Sequence, residues 1–509
     1  MLSRLHSMAL VGIDAIGCEV EVDVASSGMA PPVIVGLPDA AVKESLERVR
    51  SALRNSGYDW PRTKAVVNLA PADTKKEGPA FDLPIALGMI YAGGEGTPEK
   101  AGRYLIAGEL ALDGRVRPIR GALSMAMLAR DKSLAGVLVP RENAAEAAVV
   151  SDAEVIGIGT LAEAVGFLNE QLPLEPTTID IDEVFGQASQ YDVDFGEVRG
   201  QESAKRALVI AAAGGHNVLL IGPPGTGKTM LSKRLPTILP PLGLAESLET
   251  TRIWSAAGKL PPGEPLMARR PVRSPHHSAS GPALVGGGTV PQAGEVSLAH
   301  HGLLFLDEFP EFPRTILETL RQPLEDGTVT IARAHASVQF PARFMLVAAM
   351  NPCPCGYFTD PHKPCKCSPN QIDKYLSRIS GPLIDRIDIH IEVPPVPYRE
   401  LRGGREGSDS ATMRAQVMRA RQVQRERFGD GTTTLNARMG PRQLRRHCVL
   451  DQAGEALLRQ ALTELGLSAR AHDKILRVAR TIADLDGGGP IRAEHLTEAV
   501  MYRRLDRRM

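Results

Sequence analysis

The middle of the chain contains residues with the types and spacing of a phosphate-binding site. An apolar run at 218–221 leads into the segment GPPGTGKT at 222–229, with the spacing G-x-x-x-x-G-K-T. Glycines there let backbone N–H groups converge on phosphate oxygens, and a following helix adds its positive N-terminal end. Lys228 would reach the β- and γ-phosphates, and Thr229 would hold Mg²⁺. The predicted ATP-binding residues are Gly222, Pro223, Pro224, Gly225, Thr226, Gly227, Lys228 and Thr229.

Two further apolar segments end in polar residues that suit ATP hydrolysis. The segment 303–306 ends in Asp307 and Glu308. Asp307 suits the Mg²⁺ shell, and Glu308 suits a general base that polarises the attacking water. The segment 344–349 ends near Asn351, whose side chain can orient that water. We therefore predict Glu308 and Asn351 to be catalytic and Asp307 to be a magnesium ligand.

Arg386 follows a short predicted helix in the segment LIDRID at 383–388. An arginine on a domain edge could reach the γ-phosphate bound to a neighbouring subunit, which is worth about 10³–10⁵ in rate. The alternative is a surface salt bridge with Asp385 or Asp388. Arg378 is the second candidate for such a finger.

Four of the six cysteines lie close together in the sequence, in the pattern C-x-C-x₉-C-x-C. Four thiolates could form a tetrahedral Zn²⁺ site, although C-x-C is tighter than the usual C-x₂-C. The alternative is reduced thiols or redox chemistry. The candidate zinc ligands are Cys353, Cys355, Cys365 and Cys367.

Basic residues occur in two segments that could contact nucleic acid. One is a Gly- and Pro-rich insertion before Asp307, and the other is a predicted hairpin at 328–340. Long loops inside compact ATPases are usually functional, and basic side chains on them could hold phosphates. The alternatives are a surface excursion used in subunit packing and an ordinary hairpin. The candidate DNA contacts are Arg269, Arg270, Arg273, Arg333 and His335.

Composition limits the class of protein. The chain has 509 residues, a formal net charge of zero and 4% aromatic residues. A length of this kind implies several domains, and the charge balance excludes a chain that is basic throughout. No run of apolar residues is long enough for a membrane span, and the cysteine usage fits a reducing compartment, so we expect a cytoplasmic protein.

Charge divides the chain into parts. Residues 1–175 carry a net charge of −6 (17 basic, 23 acidic), and residues 398–509 carry +8 (22 basic, 14 acidic). Pro-rich stretches without apolar periodicity separate these parts. We predict an α/β protein with an N-terminal domain at 1–171, a linker at 172–194, a P-loop domain with a parallel sheet at 195–397 and a basic helical domain at 398–509.

The arrangement resembles the AAA+ ATPases, and within them the magnesium-chelatase-like branch and its ComM/YifB family. The most specific segments are GQESAKRALVIAAAGGHN at 200–217, SPHHSAS at 274–280, GEVSLAH at 294–300 and NPCPCG at 351–356. The resemblance implies a homo-hexameric ring with ATP sites between subunits. It also implies a DNA motor that promotes branch migration on single-stranded and branched DNA during natural transformation. Arg470 is similar to the sensor 2 arginine at the start of a lid helix.

The N-terminal domain resembles the Lon protease fold, of ribosomal S5 domain 2 type. The matching segments are KEGPAFD at 76–82 and GELALDGRV at 108–116. Proteolysis in that family needs a Ser and a Lys, but the matching Ser position is Ala80 and segment 121–129 has no Lys. A protease is therefore excluded. The remaining alternative to a DNA motor is a chelatase-like or chaperone-like remodeller of a protein.

Overall fold

The computed structural model describes residues 1–28, 30–95, 97–187, 191–288, 290–333, 336–358, 360–397, 407–429 and 434–503. The chain forms two compact units: an N-terminal unit of Met1–Ala188 with Ser247–Ala268, and a C-terminal unit of Ser189–Glu246 with Arg269–Met509. The division predicted at 171, 194 and 397 stays a prediction. The structure assigns Ser247–Ala268, from the insertion before Asp307, to the N-terminal unit.

The N-terminal unit alternates strands and helices. Its strands are β1 (Leu2–Val11), β2 (Asp14–Val24), β3 (Val33–Val35), β4 (Ala65–Ala70), β5 (Tyr104–Ile106), β6 (Glu109–Leu110), β7 (Val116–Arg117), β8 (Gly136–Pro140) and β9 (Glu154–Ile158). Its helices up to residue 187 are α1 (Ala40–Asn55), α2 (Asp82–Ile90), α3 (Ala122–Asp131), α4 (Arg141–Ala147), α5 (Leu161–Leu168) and α6 (Ile181–Gln187). Seven of the strands form a mixed sheet in the order β3-β4-β2-β1-β5-β8-β9.

Local signals in the sequence explain several of these elements. Asp39 caps α1, and its carboxylate accepts a hydrogen bond from Val42 N at 2.8 Å. The dipeptide Asp113-Gly114, which is typical of hairpin turns, lies between the paired strands β6 and β7. Tyr104–Ile106 is a separate strand outside this hairpin, because it pairs in parallel with β1 and β8.

Asp82 joins the two segments that carry the protease-fold resemblance. It is fully buried at the start of α2 and accepts hydrogen bonds from Arg48 Nε at 2.8 Å and from Leu110 N at 3.2 Å. Burial raises the pKa of Asp82, and the hydrogen bonds from Arg48 and Ser45 oppose that rise. The ion pair thus holds α1, α2 and β6 together, which is a structural role.

Two segments outside the main sheet also belong to the N-terminal unit. Helix α6 lies within the predicted linker, and its Ile181, Val184 and Phe185 pack against the buried core of that unit. In the stretch 247–268, Ser255 Oγ accepts a hydrogen bond from Gly121 N at 3.0 Å. The predicted linker therefore contains a docked helix.

The C-terminal unit is a sheet followed by helices. Its strands are β10 (Val218–Ile221), β11 (Val272–Arg273), β12 (Gly286–Gly287), β13 (Gln292–Ala293), β14 (Leu303–Leu306), β15 (Thr328–Arg333), β16 (Ala336–Pro341), β17 (Met345–Met350) and β18 (Ile389–Glu392). Its helices are α7 (Glu202–Gly214), α8 (Lys228–Arg234), α9 (Leu244–Ala256), α10 (Gly281–Val285), α11 (Glu295–Leu298), α12 (Arg314–Thr319), α13 (Arg321–Asp326), α14 (Pro369–Leu376), α15 (Gly381–Ile384), α16 (Ser410–Phe428), α17 (Pro441–His447), α18 (Gln452–Leu465), α19 (Ala469–Leu485) and α20 (Ala493–Met501). The residues of α9 from Ser247 onward are assigned to the N-terminal unit.

Five strands of the C-terminal unit form a parallel sheet in the order β11-β14-β17-β10-β18. Strands β10, β14 and β17 are buried along their whole length, which explains why they appear in the sequence as continuous apolar runs. Their carboxyl ends share one edge of the sheet. The fold is therefore α/β with a parallel sheet and a helical C-terminal region, as predicted.

The sequence spacing of helix α16 places Arg414, Arg421 and Arg425 on one helical face, which predicts an exposed basic surface for DNA or an acidic partner. Its buried side includes Met413, Val417 and Ala420. Arg421 turns inward and donates to the Ala212 carbonyl at 2.7 Å. Arg427 forms an ion pair with the buried Asp484. Two of the arginines thus stabilise the helical region, and the expectation of one exposed face is wrong for Arg421.

Among the described residues, none of the helices has the length and apolar character needed to cross a bilayer.

Candidate active site

The segment 222–229 consists of a loop at 222–227, which follows β10, and the first two residues of α8. Gly225 and Gly227 have φ of 80° and 91°, in the left-handed region that favours glycine. A Cβ at either position would meet no atom within 4 Å, so the space above the loop is open to a ligand. The loop therefore has the strand–loop–helix geometry that cradles phosphates.

Lys228 is the first residue of α8, directly after this loop, and is 8% exposed. Its Nζ donates to the carbonyl oxygens of Gly222 at 2.7 Å and Pro223 at 2.9 Å, and to Asn351 Oδ1 at 3.2 Å. Burial lowers the pKa of Lys228, and the charge of Asp307 opposes that change. An anionic phosphate at the loop would stabilise the ammonium group further.

Thr229, Asp307 and Asn351 meet at the carboxyl edge of the sheet. Thr229 Oγ1 donates to Asp307 Oδ2 at 2.7 Å, so the two predicted magnesium ligands are in direct contact. Asn351 follows β17, the strand between β10 and β14, and reaches Lys228. The structure thus brings together the residues that the sequence assigned to phosphate, Mg²⁺ and water.

Glu308 lies at the start of the turn after β14, with φ of 51°, and its side chain is 58% exposed. Its Oε2 lies 3.1 Å from Nδ1 of His277. Sequence reasoning placed His277 in the basic insertion and missed this contact, because spacing alone does not show that the insertion returns to β14. A carboxylate that is bound to an imidazole is less available to polarise water.

This contact leads to a prediction for His277. Replacing His277 with alanine should release Glu308 and raise the basal ATPase rate several-fold, with little change in nucleotide affinity. Steady-state phosphate release without any added ligand measures this effect. His276→Ala is the matched control, since His276 contacts Ser278 at 2.8 Å. An unchanged or lower rate in His277→Ala would show that the contact does not restrain Glu308.

Arg386 is nearly buried, at 7% exposure, and is held within its own chain. Its guanidinium pairs with Glu325 Oε1 at 2.6 Å and donates to the Pro382 carbonyl at 2.6 Å. Among the described residues, Arg386 does not pair with Asp385 or Asp388, the two partners predicted for it. Asp388 instead pairs with Lys474. The hydrogen bond from Arg386 lowers the pKa of Glu325, and Arg470 adds to this effect. Sequence reasoning missed Glu325.

The other two arginines proposed near the nucleotide are more accessible. Arg470 is exposed in the first turn of α19, whose N-cap is Ser468. Arg378 is 49% exposed and pairs with Glu311 at 2.8 Å, in the turn that Glu308 begins. Arg378 therefore lies close to this turn in the fold, although the two are far apart in the sequence.

The four clustered cysteines converge. The Sγ–Sγ distances are 3.4 Å for Cys353–Cys355, 3.7 Å for Cys353–Cys365 and 3.6 Å for Cys355–Cys365, and all four sulfurs lie within 4.8 Å of one another. Sulfurs around a tetrahedral zinc ion with Zn–S bonds of about 2.3 Å would lie about 3.8 Å apart. Backbone N–H groups of Tyr357 and Lys366 lower the pKa of Cys355 to about 6, which favours the thiolate.

The cysteine loop packs against the phosphate loop. Gly356 has φ of 86°, and a Cβ there would lie 2.6 Å from Cδ of Pro224. The cluster thus supports one side of the segment 222–229.

The candidate DNA residues have different surroundings. Arg273 pairs with Glu295, at 2.5 Å for Nε–Oε2. Arg270 pairs with Glu246 at 2.8 Å, and Arg269 is exposed with its guanidinium 5.9 Å from the ring of Tyr191. Arg333 is the last residue of β15, and His335 lies outside the described residues.

A loop of this geometry on a parallel sheet, with Thr229, Asp307 and Asn351 at the same edge, defines a P-loop ATPase unit. The chain matches the family described as magnesium chelatase, subunit ChlI, over residues 194–401. It also matches subunit ChlI of Mg-chelatase over residues 20–143 and the ChlI C-terminal family over residues 407–503.

Similar proteins extend these matches to the whole chain. A protein named competence protein ComM from Haemophilus influenzae is 46% identical over 99% of this chain and 98% of its own length. An uncharacterized protein named YifB from Escherichia coli is 44% identical over the same shares. The magnesium-chelatase 38 kDa subunit of Rhodobacter capsulatus is 27% identical over 31% of this chain and 50% of its own length. The chain belongs to the magnesium-chelatase-like AAA+ family that includes ComM and YifB.

Proposed function

We propose that this protein is an ATP-driven hexameric DNA motor that promotes branch migration during homologous recombination in natural transformation. The observation that carries the proposal is the similarity over nearly the whole chain to a protein named as a competence protein. The convergence of Lys228, Thr229, Asp307 and Asn351 supports ATP and Mg²⁺ as its cofactors.

Each residue of the candidate site has a role in this proposal. Lys228 binds the β- and γ-phosphates, Thr229 and Asp307 hold Mg²⁺, and Glu308 is the general base. Asn351 orients the attacking water. Arg386 acts as a finger toward a neighbouring subunit and Arg470 as sensor 2. Because Arg386 is paired with Glu325 within its own chain, that pair must open or be shared when a neighbour presents its γ-phosphate.

Phosphates of DNA would be held by the basic insertion and by the hairpin of β15 and β16. Arg269 is exposed and Arg333 ends β15, so both fit this role. Arg270 and Arg273 are paired with glutamates, and a phosphate would join or replace those partners. His335 completes the proposed set.

A three-strand branch-migration assay tests the motor directly. The protein with ATP and Mg²⁺ should move the branch point of a DNA junction, and Glu308→Gln protein should not. Failure of an ATPase-active protein to move any junction would contradict the proposal.

We also propose that the four cysteines hold a structural zinc ion. The sulfur distances fit a tetrahedral site, and four thiolate ligands leave no open position for catalysis. The ion would hold the cysteine loop against Pro224 of the phosphate loop.

The zinc proposal predicts a metal content of about one zinc ion per chain under reducing conditions. Cys355→Ser with Cys365→Ser should remove the zinc and weaken ATP binding by about tenfold, because the phosphate loop loses support on one side. Elemental analysis and nucleotide titration measure the two effects. Cys448→Ser, at a buried cysteine of the helical region, is the control. Absence of zinc from the reduced wild-type protein would exclude the site.

A remodeller of a protein partner is the second candidate. The observation that favours it is the similarity to a magnesium-chelatase subunit, although this covers only 31% of the chain. ATPase activity that responds to a protein from the same cell but to no DNA would support this candidate over the motor.

A further inference from the structure

A second cavity in the C-terminal unit lies at the amino edge of the parallel sheet. It has a volume of about 320 Å³ and is lined by Gly302 and Met345, at the starts of β14 and β17. The nucleotide residues follow the other ends of these strands. Because a strand rises about 3.3 Å per residue, strands of four to six residues separate the two sites by roughly 13–20 Å.

Arginine dominates the charged residues around this cavity. The described residues that line it carry four guanidinium groups and two carboxylates, namely Arg270, Arg343, Arg421, Arg438, Glu246 and Asp326. Each of these six residues is at least 17 positions from the next in the sequence, and only the fold brings them together. If histidine is counted as neutral, the lining residues that the structure describes therefore carry more positive than negative charge.

Arg421 and Arg270, which both line the cavity, are each held by backbone carbonyls. Arg421 donates to the Ala212 carbonyl at 2.7 Å, and Arg270 donates to the Pro240 and His301 carbonyls at 2.6 Å each. Burial, together with the charge of Arg270, lowers the pKa of Arg421 to about 9. The folded chain thus holds a guanidinium in an environment that disfavours its charge.

Arg343 and Arg438 form a second pair of neighbouring arginines in the lining. A Cβ at Gly327 would lie 3.0 Å from Nη1 of Arg438 and 2.9 Å from Cγ of Arg343, so both side chains lie against the same glycine. Both residues keep exposed surface, and partial desolvation together with the charge of Arg343 lowers the pKa of Arg438. An anion between these groups would relieve the repulsion.

The acidic residues of the lining do not balance the arginines. Glu246 is shared between Arg270 at 2.8 Å and His301 at 3.6 Å. Asp326 is exposed at the end of α13. Among the described residues, neither Arg421 nor Arg438 forms an ion pair with these carboxylates.

We propose that this cavity is a binding site for a phosphate group, separate from the ATP site. Planar guanidinium groups match phosphate oxygens through paired hydrogen bonds, and several arginines around one cavity suit a multiply charged anion. The volume lies at the lower end of the range for small-ligand pockets.

Two sources could supply the phosphate. The cavity adjoins the base of the hairpin of β15 and β16, where Ala342 N donates to Gly327 O at 2.8 Å. A DNA strand that passes along the hairpin would bring a backbone phosphate to it. A small phosphate compound is the other source. The site itself does not depend on the proposed DNA motor.

The test uses full-length Lys228→Ala protein, in which the loop at 222–227 should no longer contribute to pyrophosphate binding. Thermal unfolding is followed with increasing pyrophosphate in EDTA, and binding of a fluorescent single-stranded oligonucleotide is followed at several salt concentrations. The same measurements are made after adding Arg438→Gln, or Arg343→Gln if the first variant is unstable. Arg459→Gln, at an exposed arginine of α18 outside the cavity, is the control.

Pyrophosphate should stabilise the Lys228→Ala protein, and Arg438→Gln should weaken its binding by about tenfold or more. If DNA is the source, Arg438→Gln will also weaken oligonucleotide binding and reduce the salt slope by about 1. If DNA binding is unchanged, the source is a small phosphate compound. No stabilisation by pyrophosphate, or stabilisation unaffected by both arginine variants, would overturn the proposal. If the branch-migration assay fails but pyrophosphate still binds, the DNA motor is contradicted and the proposed phosphate site is not.

Discussion

Replacing Lys228 with alanine is expected to abolish measurable ATP binding. The Lys228 ammonium group lies inside the phosphate loop, where its Nζ donates to two loop carbonyls and to Asn351. Loss of a charge-assisted contact to two phosphates should weaken affinity by at least about 100-fold. Titration with a fluorescent ATP analogue measures the change.

The matched control for this experiment is Lys233→Ala. Lys233 is an exposed lysine on the same helix, α8, and the Lys233→Ala protein should bind ATP normally. Thermal unfolding without nucleotide checks that both variants fold. An unchanged ATP affinity in Lys228→Ala would show that the loop at 222–229 is not the nucleotide site.

Replacing Glu308 with glutamine should leave ATP bound and stop turnover. The substitution keeps the size and hydrogen-bonding groups of the side chain but removes the carboxylate that accepts a proton from water. General-base contributions are typically about 10²–10⁴ in rate, so kcat should fall by that factor. The affinity for ATP should stay within about twofold, because the proposed Mg²⁺ ligands, Thr229 and Asp307, are unchanged.

Glu311→Gln is the control for Glu308→Gln. Glu311 is a half-exposed carboxylate in the same turn and pairs with Arg378. The Glu311→Gln protein should keep most of the ATPase activity. Near-normal turnover in Glu308→Gln, measured by phosphate release at saturating ATP, would exclude Glu308 as the base.

Much of the nucleotide site could be predicted because its signals are local. The buried strands β10, β14 and β17 are continuous apolar runs, and each is followed directly by residues of the candidate site. A parallel sheet then brings its carboxyl ends to one edge. Short-range patterns also explain the cap at Asp39, the hairpin of β15 and β16 and the helix at 469–485.

Contacts between distant residues could not be predicted in the same way. The contact of His277 with Glu308 and the pair of Arg386 with Glu325 depend on how loops return to the sheet. The inward turn of Arg421 depends on packing against α7, since a helical face does not show which neighbour covers it. The assignment of 247–268 to the N-terminal unit likewise depends on long-range contacts.

The measurement that tests the central claim most directly is the ATPase rate with and without DNA. Rates are measured with no DNA, with single-stranded DNA and with a branched junction, each at two salt concentrations. The proposed motor predicts strong stimulation by DNA that weakens as salt rises, because basic residues must bind phosphates. An ATPase that responds to none of these DNA substrates at either salt concentration would contradict the account.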